Sequence, residues 1–373
     1  RAVLFINTAR LGAEAAAELK ANGVEIQEYD DVLKFLAAET EPQTVLADPA
    51  SVNFAVYETL QNNAALTVKD EADPLLPMKG VKNEVELAHD REAHLRDAVA
   101  MVRFQKELEE RLAAGEELTE LTVDEILHKY RSAQDKFIVE SFGTIAAYGG
   151  NAAMMHYHAT EEDHAKLERK GFLLVDSGGH YARGTTDVTR TIALGPITDE
   201  ERRRSTQVLQ GHIQLAMAEF PQGVMGENLD ALARGPLWRE GLDYDHGTGH
   251  GVGCVLSVHE APPSFRWRIA EGLAHPALET GMVISDEPGY YAAGRFGIRH
   301  ENLLLVQPAE AAGFLRFETL TLAPFDRDAL DPALLTASER DWLNGYHRRV
   351  YAQIAPLVPT EVRQWLREVT AAL

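Results

Sequence analysis

Residues 246–253 read HGTGHGVG, with glycine at every second position. Glycine loses more conformational freedom on ordering than any other residue. Such a run suits a flat strand that another backbone or a ligand approaches closely. A phosphate-cradling loop would call for a Walker lysine or a G-x-G-x-x-G spacing, and the run has neither. On an extended strand His246, Thr248 and His250 point to one side. Imidazole nitrogen is a common ligand for divalent transition metals, and another histidine, His259, follows in SVHEAPP.

Four apolar runs around this stretch read as strands: FLLVD (172–176), VTRTIAL (188–194), GMVIS (281–285) and NLLLVQP (302–308). Each has an acid at or near one end. Asp176 closes the first, and Asp187, 11 residues later, precedes the second. That spacing suits a hairpin whose ends bring two carboxylates together. Taken singly, either aspartate reads as a turn residue. Glu287, in SDEPGYY, follows the third run; Glu301, in GIRHEN, enters the fourth, with Arg299 two residues earlier on the same face. An acid entering a buried strand is costly unless paired or metal-bound.

The constellation is therefore Asp176, Asp187, His250, Glu287 and Glu301. Its four negative charges balance two divalent cations. Oxygen donors with one imidazole suit Mn²⁺ first, with Co²⁺ or Zn²⁺ as alternatives, and exclude thiolate-loving centres. Two such ions roughly 3.5 Å apart share a hydroxide and bring its pKa toward neutrality, making a nucleophile for an acyl carbon.

The rest of the chain supplies a frame. Residues 1–77 read as a small α/β unit: AVLFI and Val45–Ala47 as short strands, GAEAAAELKANG and VNFAVYETLQ as helices. Strands alternating with helices favour a mixed or parallel sheet. KDEADPLLPMKG (69–80) reads as a linker. Helical periodicity then runs from Val85 to about Ala114, and capping boxes pair Thr122 with Glu125 and Thr198 with Glu201. Residues 78–373 are expected to form a mixed α/β or α+β domain. The stretches SERDWLNGYHRRVYAQIAPL and EVRQWLREVTAAL read as two amphipathic helices whose apolar faces pack within the chain.

Charge and cysteine usage narrow the function classes. The 373 residues carry 36 basic and 58 acidic side chains, a net charge of −22, on an ordinary globular composition of 45% hydrophobic residues. Such a balance argues against nucleic acid and anionic membrane as partners. No run has the 18 or so apolar residues of a membrane span. The single cysteine, Cys254, precludes an internal disulfide framework and suits a reducing, cytoplasmic compartment.

Taken in order, DSGGHYARGTTDVTRT, HGTGHGVG…VHE, SDEPGYY and GIRHEN resemble the pita-bread metallopeptidases, the superfamily of methionine aminopeptidase, prolidase and aminopeptidase P. The resemblance covers nearly all of residues 78–373 and is strongest to the cytosolic-type Xaa-Pro aminopeptidases. It implies a pita-bread catalytic domain behind a small creatinase-N-like α/β domain. By the same resemblance Asp176 chelates one metal, His250 and Glu287 the other, and Asp187 and Glu301 bridge both. His259 steadies the tetrahedral intermediate or binds the substrate carbonyl. His156, in MMHYH, contacts substrate and protonates the leaving proline nitrogen, and His246 lines the pocket. Glu287 counts with His156 and His259 among the catalytic groups, and Arg299 supports the bridging carboxylates from behind. His158 and His180 read as surface residues, and His300 alternates away from the face of Glu301.

The activity implied is removal of an N-terminal residue from peptides with proline second, by a homodimer. Members of that branch carry two N-terminal domains, whereas only about 77 residues precede the catalytic part here, so the chain, starting at Arg1, is expected to lack the first. Two other readings stay open: a prolidase, restricted to dipeptides, and an inactive pita-bread binding module. Such modules lose metal ligands, whereas all five positions here hold competent residues.

Overall fold

The computed structural model describes residues 2–255, 257–269 and 275–373. The chain divides into two compact units, residues 1–76 and 77–373. In the first, β1 (Ala2–Ile6), α1 (Ala13–Ala21), β2 (Val24–Glu28), α2 (Val32–Ala37), β3 (Gln43–Ala47), α3 (Phe54–Asn62) and β4 (Leu66–Asp70) alternate. β1 pairs parallel with β2, and β3 parallel with β4. The alternating pattern predicts that pairing, because a helical crossover returns the chain in the same direction. The expected linker is less extended than its prolines and charges suggest. Its first residues finish β4, and Leu75–Gly80 form a helix, α4.

The second unit opens with α5 (Glu84–Ala113), whose N-cap Asn83 and Glu86 form a capping box. α6 (Glu120–Ser132) follows, capped by Thr119 with Thr122 at the third helical position. The expected Thr122–Glu125 box is thus displaced by one turn: a threonine hydroxyl, not a glutamate, closes this cap. Strands β5 (Phe137–Glu140), β6 (Ile145–Tyr148), β7 (Phe172–Ser177), β8 (Gly179–Tyr181), β9 (Gly184–Thr185) and β10 (Val188–Ala193) come next. α7 (Asp199–Ala216) carries the expected Thr198–Glu201 box. Then come β11 (Glu219–Pro221), α8 (Gly226–Trp238), β12 (Gly249–His250), β13 (Ser264–Phe265), β14 (Val283–Asp286), β15 (Gly289–Ala292), β16 (Phe296–Arg299), β17 (Asn302–Pro308) and β18 (Phe314–Thr319). Two helices, α9 (Ala337–Ile354) and α10 (Thr360–Val369), end the chain.

Two antiparallel sheets matter for the site. One has the order β10-β7-β6, the other β11-β18-β17-β14. β7 and β17, both inner strands, are apolar along most of their length and buried on both faces. Leu303, Leu304, Leu305 and Val306 of β17 are all fully buried, as are Phe172, Leu173 and Val175 of β7. Residues of α5, α7, α9 and α10 share one core, with Val102, Ile213, Leu343, Val350 and Leu366 at its centre. The two C-terminal helices therefore place their apolar faces inside this unit, as their amphipathic pattern predicts.

Candidate metal centre

β7 and β10 form the predicted hairpin, with Thr189 opposite Asp176 and Val188 opposite Ser177. Asp187 immediately precedes β10, so both aspartates emerge at the same end of the hairpin. Arg299, at the end of β16, donates from Nη2 to Asp176 Oδ2 at 2.5 Å, and Asp176 Oδ1 is buried with no hydrogen-bond partner. A carboxylate oxygen stripped of water and left bare is costly. Such an oxygen is suited to ligate a cation.

The second set comes from the glycine-rich stretch. Only Gly249 and His250 of it form regular strand, paired with β13. A Cβ at Gly249 would lie 1.8 Å from the Ser285 carbonyl oxygen, and one at Gly251 would lie 2.2 Å from that of Glu260. What approaches so closely is the protein's own backbone, packing the histidine strand onto β14 and onto the loop after His259. Gly249→Ala is accordingly expected to lower stability by about 3 kcal/mol, the upper range for overpacking, and to reduce metal uptake, as read by urea unfolding and metal analysis.

Each histidine of the stretch has its tautomer set locally. His250 Nδ1 donates to the Gly251 carbonyl at 2.9 Å, which leaves Nε2 unprotonated and facing the acids. His246 Nδ1 donates to the Gly247 carbonyl at 2.8 Å, and its Nε2 accepts from the Tyr291 hydroxyl at 2.9 Å. Tyr291 in turn accepts from Arg299 Nη1 at 2.9 Å. Thr248 departs from the alternation. Its fully buried hydroxyl bonds Asp230 and Tyr244 rather than facing the cavity. Arg234, behind it, donates to Asp230 at 2.6 Å and to the His246 carbonyl at 2.7 Å.

The remaining acids are set by short side chains nearby. Ser285 donates to Glu287 Oε1 at 3.0 Å while accepting from the His250 N–H at 3.0 Å. Glu301 Oε2 accepts from Thr189 at 2.7 Å, and Arg190 holds the Glu301 carbonyl at 2.6 Å. Both partners lie in the run VTRT, so the strand after Asp187 also clamps Glu301.

These groups converge. Ligand atoms of Asp187, His250 and Glu301 lie within 4.8 Å of one another. His250 Nε2 stands 3.6 Å from Asp187 Oδ2 and 3.4 Å from Glu287 Oε1, too far for good hydrogen bonds. Asp176, Asp187, Glu287 and Glu301 line one cavity of about 630 Å³ with His156, His246, His250, His259 and Arg299. His158 lines it too, although its place beside MMHY suggests plain surface, because it and His156 flank Tyr157, which turns inward. His300 is buried against Ser205, away from the cavity, and His180 is half-buried and bonded to Thr185.

The electrostatics also suit a cation site. Burial, then the carboxylates of Glu301, Asp176 and Glu287, hold Asp187 well above the ordinary aspartate range. Burial pushes Glu287 up to about 8, with Asp176 adding to it, and burial with Glu287 and Asp176 raises Glu301. Burial, then His259, brings His250 down to about 4, and burial with Arg299 takes His246 to about 3. Crowded acids around a neutral imidazole attract cations and suit hard or borderline ions. Arg299 is the guanidinium that opposes the rise of Asp187, Glu287 and Glu301, with Arg266 also on the cavity wall, against four acids. The donor set therefore fits two divalent cations.

Sequence reasoning missed Tyr291, Thr189, Arg190, Asp230 and Arg234. Tyr291 and Thr189 lie in SDEPGYY and GTTDVTRT, beside residues already chosen, so proximity to a ligand was the available signal. Asp230 and Arg234 lie on α8, and their i,i+4 spacing looks like an ordinary surface ion pair.

The model of metallopeptidase family M24 matches residues 88–308, that of the C-terminal region of this peptidase family residues 313–373, and that of the creatinase/prolidase N-terminal domain residues 1–86. The chain is 38% identical over 407 residues to aminopeptidase P2 of Arabidopsis thaliana, covering 100% of this chain and 57% of that protein. It is 38% identical over 391 residues to a probable Xaa-Pro aminopeptidase P of Coprinopsis cinerea, covering 100% of this chain and 62% of that one. The X-prolyl aminopeptidase of Caenorhabditis elegans, described as a cytosolic enzyme with a di-nuclear active site, superposes with a TM-score of 0.92 at 36% identity, over 100% of this chain and 62% of that chain. The chain thus spans about three fifths of the length of these relatives. With a pita-bread unit behind a creatinase-type N-terminal domain, it belongs to metallopeptidase family M24.

Proposed function

We propose that this chain is an Xaa-Pro aminopeptidase, releasing the first residue of peptides whose second is proline. The observation that carries the reading is the convergence of five carboxylate and imidazole ligands with His156, His246 and His259 on one cavity. The proline preference is drawn from the names of the relatives. Asp176, Asp187, His250, Glu287 and Glu301 would hold two divalent cations, which supply Lewis acidity and a nucleophile from water near neutral pH. Manganese is our first choice of ion because four of the five donors are carboxylates. The cytosol suits the single cysteine and the compartment given for the nematode relative, and a homodimer is the assembly the family resemblance implies.

The protein groups then divide the work. Arg299 pins one oxygen of Asp176 and leaves the other free for a cation. His246, neutral and bonded at both nitrogens, walls the site without offering a proton. His259 stands edge-on to His250, ring centres 4.1 Å apart, and partial burial with the neighbouring His156 lowers its pKa. A neutral His259 can donate an N–H to the substrate carbonyl oxygen. His156 is exposed on the cavity wall. Its ring can deliver a proton to the departing proline nitrogen, which carries no N–H of its own in the peptide and must gain a proton to leave.

The test is a paired assay. Metal-depleted protein refilled with Mn²⁺ receives Arg-Pro-Pro or the dipeptide Arg-Pro, and free arginine is followed by mass spectrometry. Release from the tripeptide alone is expected. Release from the dipeptide alone would make it a prolidase, and release from neither would make it an inactive module. His156→Ala is expected to lower turnover on the tripeptide by 10²-fold or more with both ions retained; loss of metal would show that His156 is a ligand instead.

A further inference from the structure

Glu120, in the first turn of α6, is a fully buried carboxylate whose partners are neutral donors. Oε1 accepts from the Tyr148 N–H at 2.7 Å and Asn151 Nδ2 at 3.0 Å; Oε2 accepts from the Tyr157 hydroxyl at 2.8 Å and the Ala165 N–H at 2.7 Å. Every one of these donors belongs to residues 148–165, the segment that carries His156. After the short 3₁₀ turn Gly149–Ala153 that segment contains no regular helix or strand before β7. Its shape is therefore set by side-chain contacts rather than by a backbone ladder. Tyr157 is the chain neighbour of His156, and its ring is buried among Ile145, Ala147, Ala152 and Leu174 while its hydroxyl reaches Glu120. With Tyr157 turned inward, His156 is turned out to the cavity.

We infer that Glu120 is a positioning residue for the reaction, lacing the 148–165 segment to α6 so that His156 faces the substrate. The inference rests on the reading of His156 as the proton donor. A carboxylate is the one side chain that can accept at all four contacts with no donor of its own. An amide at this place would oppose its NH₂ to two N–H or O–H donors, and buried unpaired donors displace their surroundings. Misplacement of a reacting group by about 1 Å can cost up to 10²-fold in rate.

The experiment is a double-mutant cycle on the Mn²⁺-loaded protein with Arg-Pro-Pro. Glu120→Gln is expected to lower kcat about tenfold, with KM and the metal content unchanged. Tyr157→Phe, which removes one donor and keeps the buried ring, is expected to give a smaller loss in the same parameter and serves if the glutamine variant fails to fold. In the His156→Ala background neither change should lower kcat further. Equal fold losses in both backgrounds would overturn the proposal, as would unchanged kcat in both single variants or a loss of metal from either. Full turnover in His156→Ala alone would instead remove the proton-donor reading on which the proposal stands, a result separate from the behaviour of Glu120.

Discussion

Asp187→Asn protein is expected to bind fewer than two cations and to lose at least 10³-fold in turnover, in line with the several kcal/mol that metal charge stabilisation contributes. The amide keeps the shape of the side chain, so the hairpin between β7 and β10 has no reason to change. What changes is charge and donor capacity: asparagine offers one neutral oxygen where a carboxylate offers two charged ones. The same substitution relieves a conflict in the metal-free state, where burial and three neighbouring carboxylates oppose ionisation of Asp187. Without metal, Asp187→Asn should therefore melt at or above the unmodified protein at pH 8, and with metal below it. Plasma emission spectroscopy gives the stoichiometry and calorimetry the melting points. Two retained ions per chain would overturn the place of Asp187 among the ligands.

The stabilisation that Mn²⁺ gives to metal-depleted protein should grow as pH rises from about 5 to about 8, because the crowded acids of the site lose the protons that stabilise them without metal. Glu287 goes from 4.5 to about 8 on burial beside Asp176, and Asp187 and Glu301 are also raised. An acid whose folded pKa lies above its unfolded one binds its proton more tightly in the native state. Its contribution is therefore complete below the unfolded pKa and is lost as pH climbs through the folded one. For Glu287 alone that difference amounts to roughly 5 kcal/mol at the upper limit. Cations and protons compete for these oxygens, so metal affinity rises over the same range. Asp90, which burial pushes up to about 7, lies outside the metal site and largely cancels between the two forms. The measured quantity is the difference in melting temperature with and without Mn²⁺ at pH 5, 6, 7 and 8. A difference that stays flat or shrinks would show that the three acids do not crowd one another.

Much of this site is legible from residue types alone. An acid at the edge of an apolar strand has few uses, and Asp176, Asp187, Glu287 and Glu301 all sit there. The strands carrying them are apolar enough to be recognised by run length, and β17 coincides with NLLLVQP to the residue. Harder to read were elements whose stability comes from partners distant in sequence. Thr248 obeys strand alternation on paper, yet the stretch is regular only at Gly249–His250 and its hydroxyl turns to Asp230, 18 residues away. Glu120 looks like an ordinary first-turn acid at a helix N-terminus, and its four donors come from up to 45 residues downstream.

By itself the sequence determined which groups are present, their order along the chain, the strands that deliver them and the negative charge they gather. These follow from local pattern: period, run length and the chemistry of single side chains. Only the tertiary structure decided which oxygen of Asp176 stays bare, which nitrogen of His250 and His246 is free, and how close the backbone of Ser285 comes to Gly249. Those depend on contacts between segments far apart in the chain, made by Arg299, Tyr291, Thr189 and Ser285, and a tautomer or an unpaired lone pair exists only once its neighbours are in place.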